Sequence, residues 1–254
     1  MATAGLLSTD TRHDIAIDRV SKRYGELLAL DRVSLTIAAA QTTAIVGPSG
    51  CGKSTLLQMI NGLRQADQGR IEIDGEILAG HNLTALRRRI GYCVQHVGLF
   101  PHMTVAANIT LLAKIEAWSA ADIQQRLDAL LALTALEPQL LSRYPHQLSG
   151  GQQQRSGICR ALMLKPDFLL LDEPFAAVDP ITRIDIHQQY QQLQHNEPRT
   201  TVLVTHDIKE ALQLADSIAV MHQGKVICHH SSNYFSKHQN PEHFLLEMIR
   251  HGTN

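Results

Sequence analysis

The stretch Gly47-Pro48-Ser49-Gly50-Cys51-Gly52-Lys53-Ser54-Thr55 fits the pattern G-x-x-x-x-G-K-[ST] and follows the apolar run Thr43-Ala44-Ile45-Val46, which reads as a buried strand. A strand that turns at once into a helix, Ser54 to Ile60, through small residues commits the chain to an α/β layer arrangement. Glycines let the backbone wrap closely around an anion, so several N–H groups point inward at the helix start. In such a loop Lys53 reaches the β- and γ-phosphates of a nucleotide and Ser54 ligates Mg²⁺. A tight connection alone does not call for the Lys-Ser ending.

At 254 residues the chain is long enough for one α/β domain with an inserted or appended subdomain. Its formal net charge of −1 and the absence of a basic tail or stripe argue against nucleic acid as the main partner. Arg87-Arg88-Arg89 reads as a solvated helix or loop face. Cys51, Cys93, Cys159 and Cys228 are scattered without a C-x-x-C pair, which suggests neither a zinc site nor a disulfide framework and fits a reducing cytoplasm. No run approaches the roughly 18 apolar residues of a spanning helix, and no apolar signal core stands at the start, so the expected chain is neither secreted nor integral. The 14 histidines form no H-x-x-x-H or H-E-x-x-H pair on an expected helix, and surface positions are expected for them.

Residues 1–13 are small and polar, and are expected to be mobile. Ile15 to Val20, and Val33, Leu35 and Ile37 alternating with Ser34 and Thr36, read as strands separated by the segment from Lys22 to Arg32. They suggest an antiparallel layer. Tyr24 beside its turn suits either base stacking or packing. Gly69 to Gly75 reads as a short strand closed by an Asp-Gly turn, and Ile90 to Val94 as another that ends at Gln95. Gly98-Leu99-Phe100-Pro101 is a hydrophobic loop that is costly to leave in water.

A helical insert is expected over about 96–160, with Ser119 and Asp122 as a capping signal and Ile123, Leu127, Leu130 and Leu131 at helical spacing. Pro138 and Pro145 interrupt it. Ser149-Gly150-Gly151-Gln152 then opens a new helix and offers free N–H groups to an anion, though by itself it is equally a helix cap. The apolar strand Phe168 to Leu171 ends at Asp172 and Glu173, and Val202 to Thr205 ends at His206. In open parallel sheets ligands sit outside the carboxyl ends of the strands, so Gly47, Gln95, Asp172, Glu173 and His206 are expected to converge on one edge and supply the parts of a phosphoryl-transfer site. Beyond a helix from Ile208 to Ala215 and two short strands, residues 231–254 read as a tail with one final short helix.

The ordered set Gly47 to Thr55, Gln95, Leu148-Ser149-Gly150-Gly151-Gln152, Leu171-Asp172-Glu173-Pro174, Val178-Asp179 and His206 resembles the motifs of the ATP-binding cassette ATPases over roughly residues 14–228. The resemblance implies a phosphate-loop core with an antiparallel β subdomain and an inserted α-helical subdomain, the cassette filling 14–230. It also implies a homodimer that closes head to tail, each ATP lying between the phosphate loop (Gly47, Pro48, Ser49, Gly50, Cys51, Gly52, Lys53, Ser54, Thr55) of one copy and Ser149, Gly150, Gly151 and Gln152 of the other. Tyr24 matches the base-stacking aromatic and Asp179 a further nucleotide-binding position. Ser54, Gln95 and Asp172 would hold Mg²⁺, Glu173 would deprotonate the attacking water, and His206 would contact the γ-phosphate.

More narrowly, Gly98 to Val105 and Asp172 to Arg183 resemble the ATPase subunits of bacterial osmoprotectant importers, which take up glycine betaine, choline or carnitine. Many of those subunits carry a C-terminal pair of cystathionine-synthase-type domains, which the 254 residues here do not include. This resemblance implies integral permease subunits, an extracytoplasmic substrate-binding protein reached through them, and a peripheral place on the cytoplasmic face of the membrane. An importer ATPase for amino acids or another small solute, and a soluble cassette ATPase of translation or DNA repair, are the alternatives.

Overall fold

Strands β1 (Ile15–Tyr24) and β2 (Leu27–Ile37) are long and joined by only a two-residue turn, Gly25-Glu26, with Gly25 at φ +59°. The expected loop between Lys22 and Arg32 is therefore itself strand, because a tight glycine turn lets both ladders run to their ends. Strand β3 (Thr42–Val46) enters the phosphate loop and α1 (Lys53–Ile60), and β4 (Gln68–Ile73) turns at Asp74-Gly75 into β5 (Glu76–Ile77). Helix α2 (Leu83–Arg89) leads directly into β6 (Ile90–Cys93). Next come α3 (Val105–Ile115), α4 (Ala120–Thr134), two 3-10 turns starting at Pro138 and Pro145, and α5 (Gly150–Leu162). The chain continues through β7 (Phe168–Asp172), α6 (Pro180–Asn196), β8 (Thr200–Val204), α7 (Ile208–Leu214), β9 (Ser217–His222), β10 (Lys225–Ser231), α8 (Ser232–Ser236) and α9 (Pro241–His251). This computed structural model describes residues 14–78, 83–95 and 98–251; the expected mobile segment 1–13 and Val97, at the edge of the apolar loop, lie outside them.

Two sheets result. One is antiparallel, in the order β2-β1-β4-β5; the other has the order β10-β9-β3-β8-β7-β6, with β9, β3, β8, β7 and β6 parallel and β10 antiparallel at its edge. The central strands are apolar at nearly every position because both of their faces are covered. Alternation assigns the faces: Leu169 and Leu171 of β7 face a cluster built with Ile109, Leu127, Leu131 and Ile158 of α3, α4 and α5. Phe168 and Leu170 face the opposite cluster, with α1 and the inward side chains of the antiparallel sheet, Ile15, Ile17, Leu35 and Ile71. On β3, Ile45 belongs to this second cluster, whereas Ala44 and Val46 join a third cluster with Ile218, Val220, Ile208 and Ala211.

The residues after Ser231 form two helices, not one, and Phe235, Leu245 and Met248 from them complete that third cluster. The weak periodicity of this segment reflects a break at Pro241, which starts a second helix. The expected solvated helix face is present at Arg88, which is exposed on α2, while Arg87 and Arg89 are half-buried, and all three make specific bonds. Arg87 donates to Asn61 O and Gly62 O, Arg88 pairs with Glu116, and Arg89 bridges Asp74 and Asp167 with its guanidinium 5.4 Å from the Phe168 ring centroid. Each arginine ties the short helix α2 to a different neighbour. One histidine also departs from surface placement: His187 on α6 is 4% exposed, edge-on to Phe175. The cysteines are free thiols, and burial pushes Cys93 and Cys159 up to about 12, which leaves them inert.

Candidate active site

Because β3, β8, β7 and β6 are neighbours and parallel, the residues just past their carboxyl ends are forced together. Gly47, His206, Asp172 with Glu173, and Gln95 stand at those four ends in that order. Ser54 Oγ donates to Asp172 Oδ1 at 3.2 Å, Gln95 Nε2 to Glu173 Oε2 at 3.4 Å, and His206 Nδ1 lies 3.2 Å from the same Glu173 oxygen. The convergence expected from the strand ends is present in the described residues.

The phosphate loop owes its shape to its glycines. A Cβ on Gly52, whose φ is +105°, would lie 2.6 Å from Ala29 O, and one on Gly47 would lie 2.1 Å from Met221 O. Lys53 is 7% exposed at the first position of α1 and donates to Gly47 O at 2.7 Å and Pro48 O at 2.9 Å, which centres its ammonium in the loop. Cys51 lies behind it, its Sγ 3.8 Å from the ammonium, and burial raises the thiol. Ser49, Gly50, Gly52, Lys53, Ser54 and Thr55 line one side of a cleft of about 250 Å³, with Tyr24, Leu27 and Ala29 on another and Gln95 and Glu173 across from them. Tyr24 is 39% exposed, so its ring is open at the rim.

A polyanion fits this cleft: one cation, a helix N-terminus and a backbone that only glycine permits all face it. Ser54 Oγ and Asp172 Oδ1 are hard oxygen donors, the set that Mg²⁺ selects.

Other residues of the sequence set stand elsewhere. Ser149, Gly150, Gly151, Gln152 and Asp179 do not line the cleft of their own chain. Ser149 caps α5 by accepting from Gln152 N at 3.2 Å, while Gln152 Oε1 accepts from Ser149 N at 2.9 Å, so this reciprocal pair fixes the helix start with Ser149 and Gly150 exposed. Asp179 caps α6, and the hydrogen bond from the Thr182 amide holds its carboxyl below the usual range.

Two residues that sequence reasoning passed over shape the site. Glu173 adopts a left-handed backbone, φ +50°, a conformation that costs a non-glycine residue on the order of 1–3 kcal/mol. Gln154, 3% exposed, holds it there: its amide donates to Glu173 O at 2.6 Å and accepts from Ala177 N at 2.7 Å, so α5 is fastened to the carboxylate loop. Asn108 on α3 does the same for the apolar loop, accepting from Phe100 N at 2.7 Å and donating to Phe100 O, Met103 O and Thr104 O at 3.1 Å each. Arg160 adds a bond to Gly98 O at 2.8 Å. The sequence signal for both is a polar side chain on the buried stripe of a helix: Gln154 with Gly157 and Ile158, Asn108 with Val105 and Ile109.

Fold and cleft together define a phosphate-loop nucleotide-binding cassette. The chain belongs to the ABC transporter family, whose model matches residues 30–176. It is 45% identical over 214 residues to the glycine betaine/carnitine/choline transport ATP-binding protein OpuCA of Bacillus subtilis, covering 84% of this chain and 56% of that one. It is 46% identical over 213 residues to the glycine betaine uptake system ATP-binding protein YehX of Escherichia coli, covering 84% and 69%. The chain thus spans little more than half the length of OpuCA. A dimeric bacterial ABC transporter cassette superposes with a TM-score of 0.81 at 34% identity, over 86% of this chain and 98% of the other.

Proposed function

We propose that this chain is the ATP-binding and ATP-hydrolysing subunit of an ABC importer for a quaternary-ammonium osmoprotectant such as glycine betaine, choline or carnitine. The observation that carries the ATPase reading is that Lys53, Ser54, Gln95 and Glu173 line one cleft, with Asp172 bonded to Ser54 and His206 beside Glu173 at its edge, while Ser149 and Gly150 are exposed and do not line it. An anion-binding helix start that does not serve its own cleft is explained by a second copy. In a head-to-tail homodimer Ser149, Gly150, Gly151 and Gln152 of one chain cover the nucleotide held by the other, with Asp179 beside the junction.

The residues divide the work. Loop amides and Lys53 neutralise the phosphates, and Tyr24 stacks on the base. Ser54, Gln95 and Asp172 would hold Mg²⁺, which supplies further charge neutralisation at the transferring phosphoryl group. Glu173 accepts a proton from the attacking water, His206 contacts the γ-phosphate, and Gln95 keeps the Glu173 carboxylate aimed.

Among the described residues no helix is long and apolar enough to cross a membrane, so the transport path is assigned to separate permease subunits and the chain to their cytoplasmic face. The surface proposed for docking is a groove of about 320 Å³ beside the apolar loop, lined by Tyr92, Phe100, Leu111, Leu112 and Arg160, with Phe100 43% exposed. Phe100→Glu is expected to abolish copurification with the permease and to lower uptake at least about tenfold, since it places a charge in an apolar contact; intact assembly and uptake would refute the docking assignment. The extracytoplasmic binding protein is a partner only through the permease.

Names of relatives support the osmoprotectant class. Uptake of labelled glycine betaine, choline and carnitine by cells with and without the chain tests it. Loss of at least one is expected. Unchanged uptake of all three, with loss of another solute, would keep the ATPase and reject the osmoprotectant.

A further inference from the structure

Beside the Glu173 carboxylate lies a second space of about 30 Å³, open to solvent on the His206 side, which shares only Glu173 with the lining of the nucleotide cleft. Its walls come from four elements: Glu173 and Ala176 after β7, Arg183 on α6, Thr205, His206 and Asp207 after β8, and Glu210 on α7. Glu210 is 4% exposed, and its Oε1 has no hydrogen-bond partner among the described residues. Its Oε2 lies 3.9 Å from His187 Nε2, which also lacks a partner there, while His187 Nδ1 meets Gln213 Oε1 at 3.4 Å. A buried carboxyl oxygen with nothing to bond costs on the order of 1–3 kcal/mol or more. A space above about 10–15 Å³ with two to four polar neighbours admits one water molecule, and this one meets both conditions.

We propose that this space is a water site, floored by the buried Glu210, through which the Glu210 carboxyl positions the Glu173 carboxylate and the His206 loop for hydrolysis. The proposal rests on the ATPase reading and adds to it a positioning residue that does not touch the nucleotide. Charge in the pocket is consistent with a donor role. Burial is the main reason that the Glu210 acid is pushed up to about 8; Asp207 and Glu173 add to the shift, and Thr205 and Arg183 oppose it. Burial also keeps His187 neutral, and Arg183 is turned towards Asp207 Oδ2 at 3.4 Å and Val178 O at 2.9 Å. At pH 7 Glu210 therefore keeps its proton and can donate it in a hydrogen bond to the water, which in turn donates towards Glu173. Above pH 8 the same group becomes a second negative charge beside Glu173, and the donor is gone.

The test is steady-state ATP hydrolysis by the full chain from pH 6 to 9.5, in wild type, Glu210→Leu, Glu210→Gln and, as the background, Glu173→Gln. Glu210→Leu is expected to lose about tenfold or more in kcat with KM for ATP little changed, the signature of misplacement without lost binding. Glu210→Gln, which matches the neutral acid in shape and can donate, is expected to restore most of that loss. Wild type should fall about tenfold from pH 7 to 9, and Glu210→Gln should lack that fall.

Thermal melting gives a second readout. The folded acid holds its proton to about 8 and the unfolded one loses it near 4.5, so wild type should lose stability relative to Glu210→Gln as pH rises through that window. Full turnover in Glu210→Leu, or the wild-type alkaline fall persisting in Glu210→Gln, overturns the positioning role alone. Wild type no faster than Glu173→Gln overturns the ATPase reading and this role with it.

Discussion

Glu173→Gln is expected to reduce ATP hydrolysis by at least about 100-fold while leaving ATP affinity within a few-fold of wild type. The reason lies in what the substitution preserves. The amide has the size of the carboxylate, so the left-handed turn at residue 173 and its clasp by Gln154 are undisturbed. Gln95 and His206 keep a neighbour at the oxygen they now share. Only the proton acceptor is removed, and none of the groups around the phosphate loop changes. The arrested protein should therefore accumulate with ATP bound and run as a dimer on size exclusion, whereas wild type is expected to exchange between dimer and monomer as it turns over. Phosphate release, nucleotide binding and elution volume measure the three parts separately. Undiminished turnover would remove Glu173 from the role of base. A monomer at every concentration, with ATP bound, would remove the shared site.

The largest effect expected on stability comes from a residue in the segment that reads as a tail. Phe235 is fully buried among Ala44, Val46, Ile218 and Val220 of the sheet and Leu245 of α9, with the Tyr234 ring edge-on at 5.3 Å. Truncating a buried Phe to Ala costs about 3–5 kcal/mol, because the lost transfer free energy adds to the cavity left behind. For a chain of this size each kcal/mol moves Tm by about 2–4 °C, so Phe235→Ala should melt roughly 10 °C lower. A shift under about 2 °C would show that α8 and α9 hang on the sheet without supporting it. Tyr234→Ala, at a 40% exposed position, should cost far less and serves as the control.

What was legible beforehand follows from how local each signal is. The phosphate loop, the apolar strands and the polar residues that end them are written in short windows, and parallel pairing alone brings Gln95, Asp172, Glu173 and His206 to one edge. The extent of β1 and β2 was not legible, because residues 22–32 alternate poorly and only a partner strand makes them extended. The solvated face at Arg87 to Arg89 was legible because charge runs usually are solvated, but their partners, from Asn61 to Asp167, were not, being spread over more than a hundred residues. Glu210, Gln154 and Asn108 share the same obstacle: a lone polar residue on an apolar helix stripe reads as an imperfection until the surface it meets is known.

The four hydrogen bonds between Asn108 and the segment Phe100 to Thr104 bear on how motion leaves the nucleotide cleft. A slack segment at that position would soak up a displacement of α3 by bending. One stapled to the helix at four points moves with it as a single stiff arm, so an ångström travelled by the helix is an ångström delivered at the Phe100 ring.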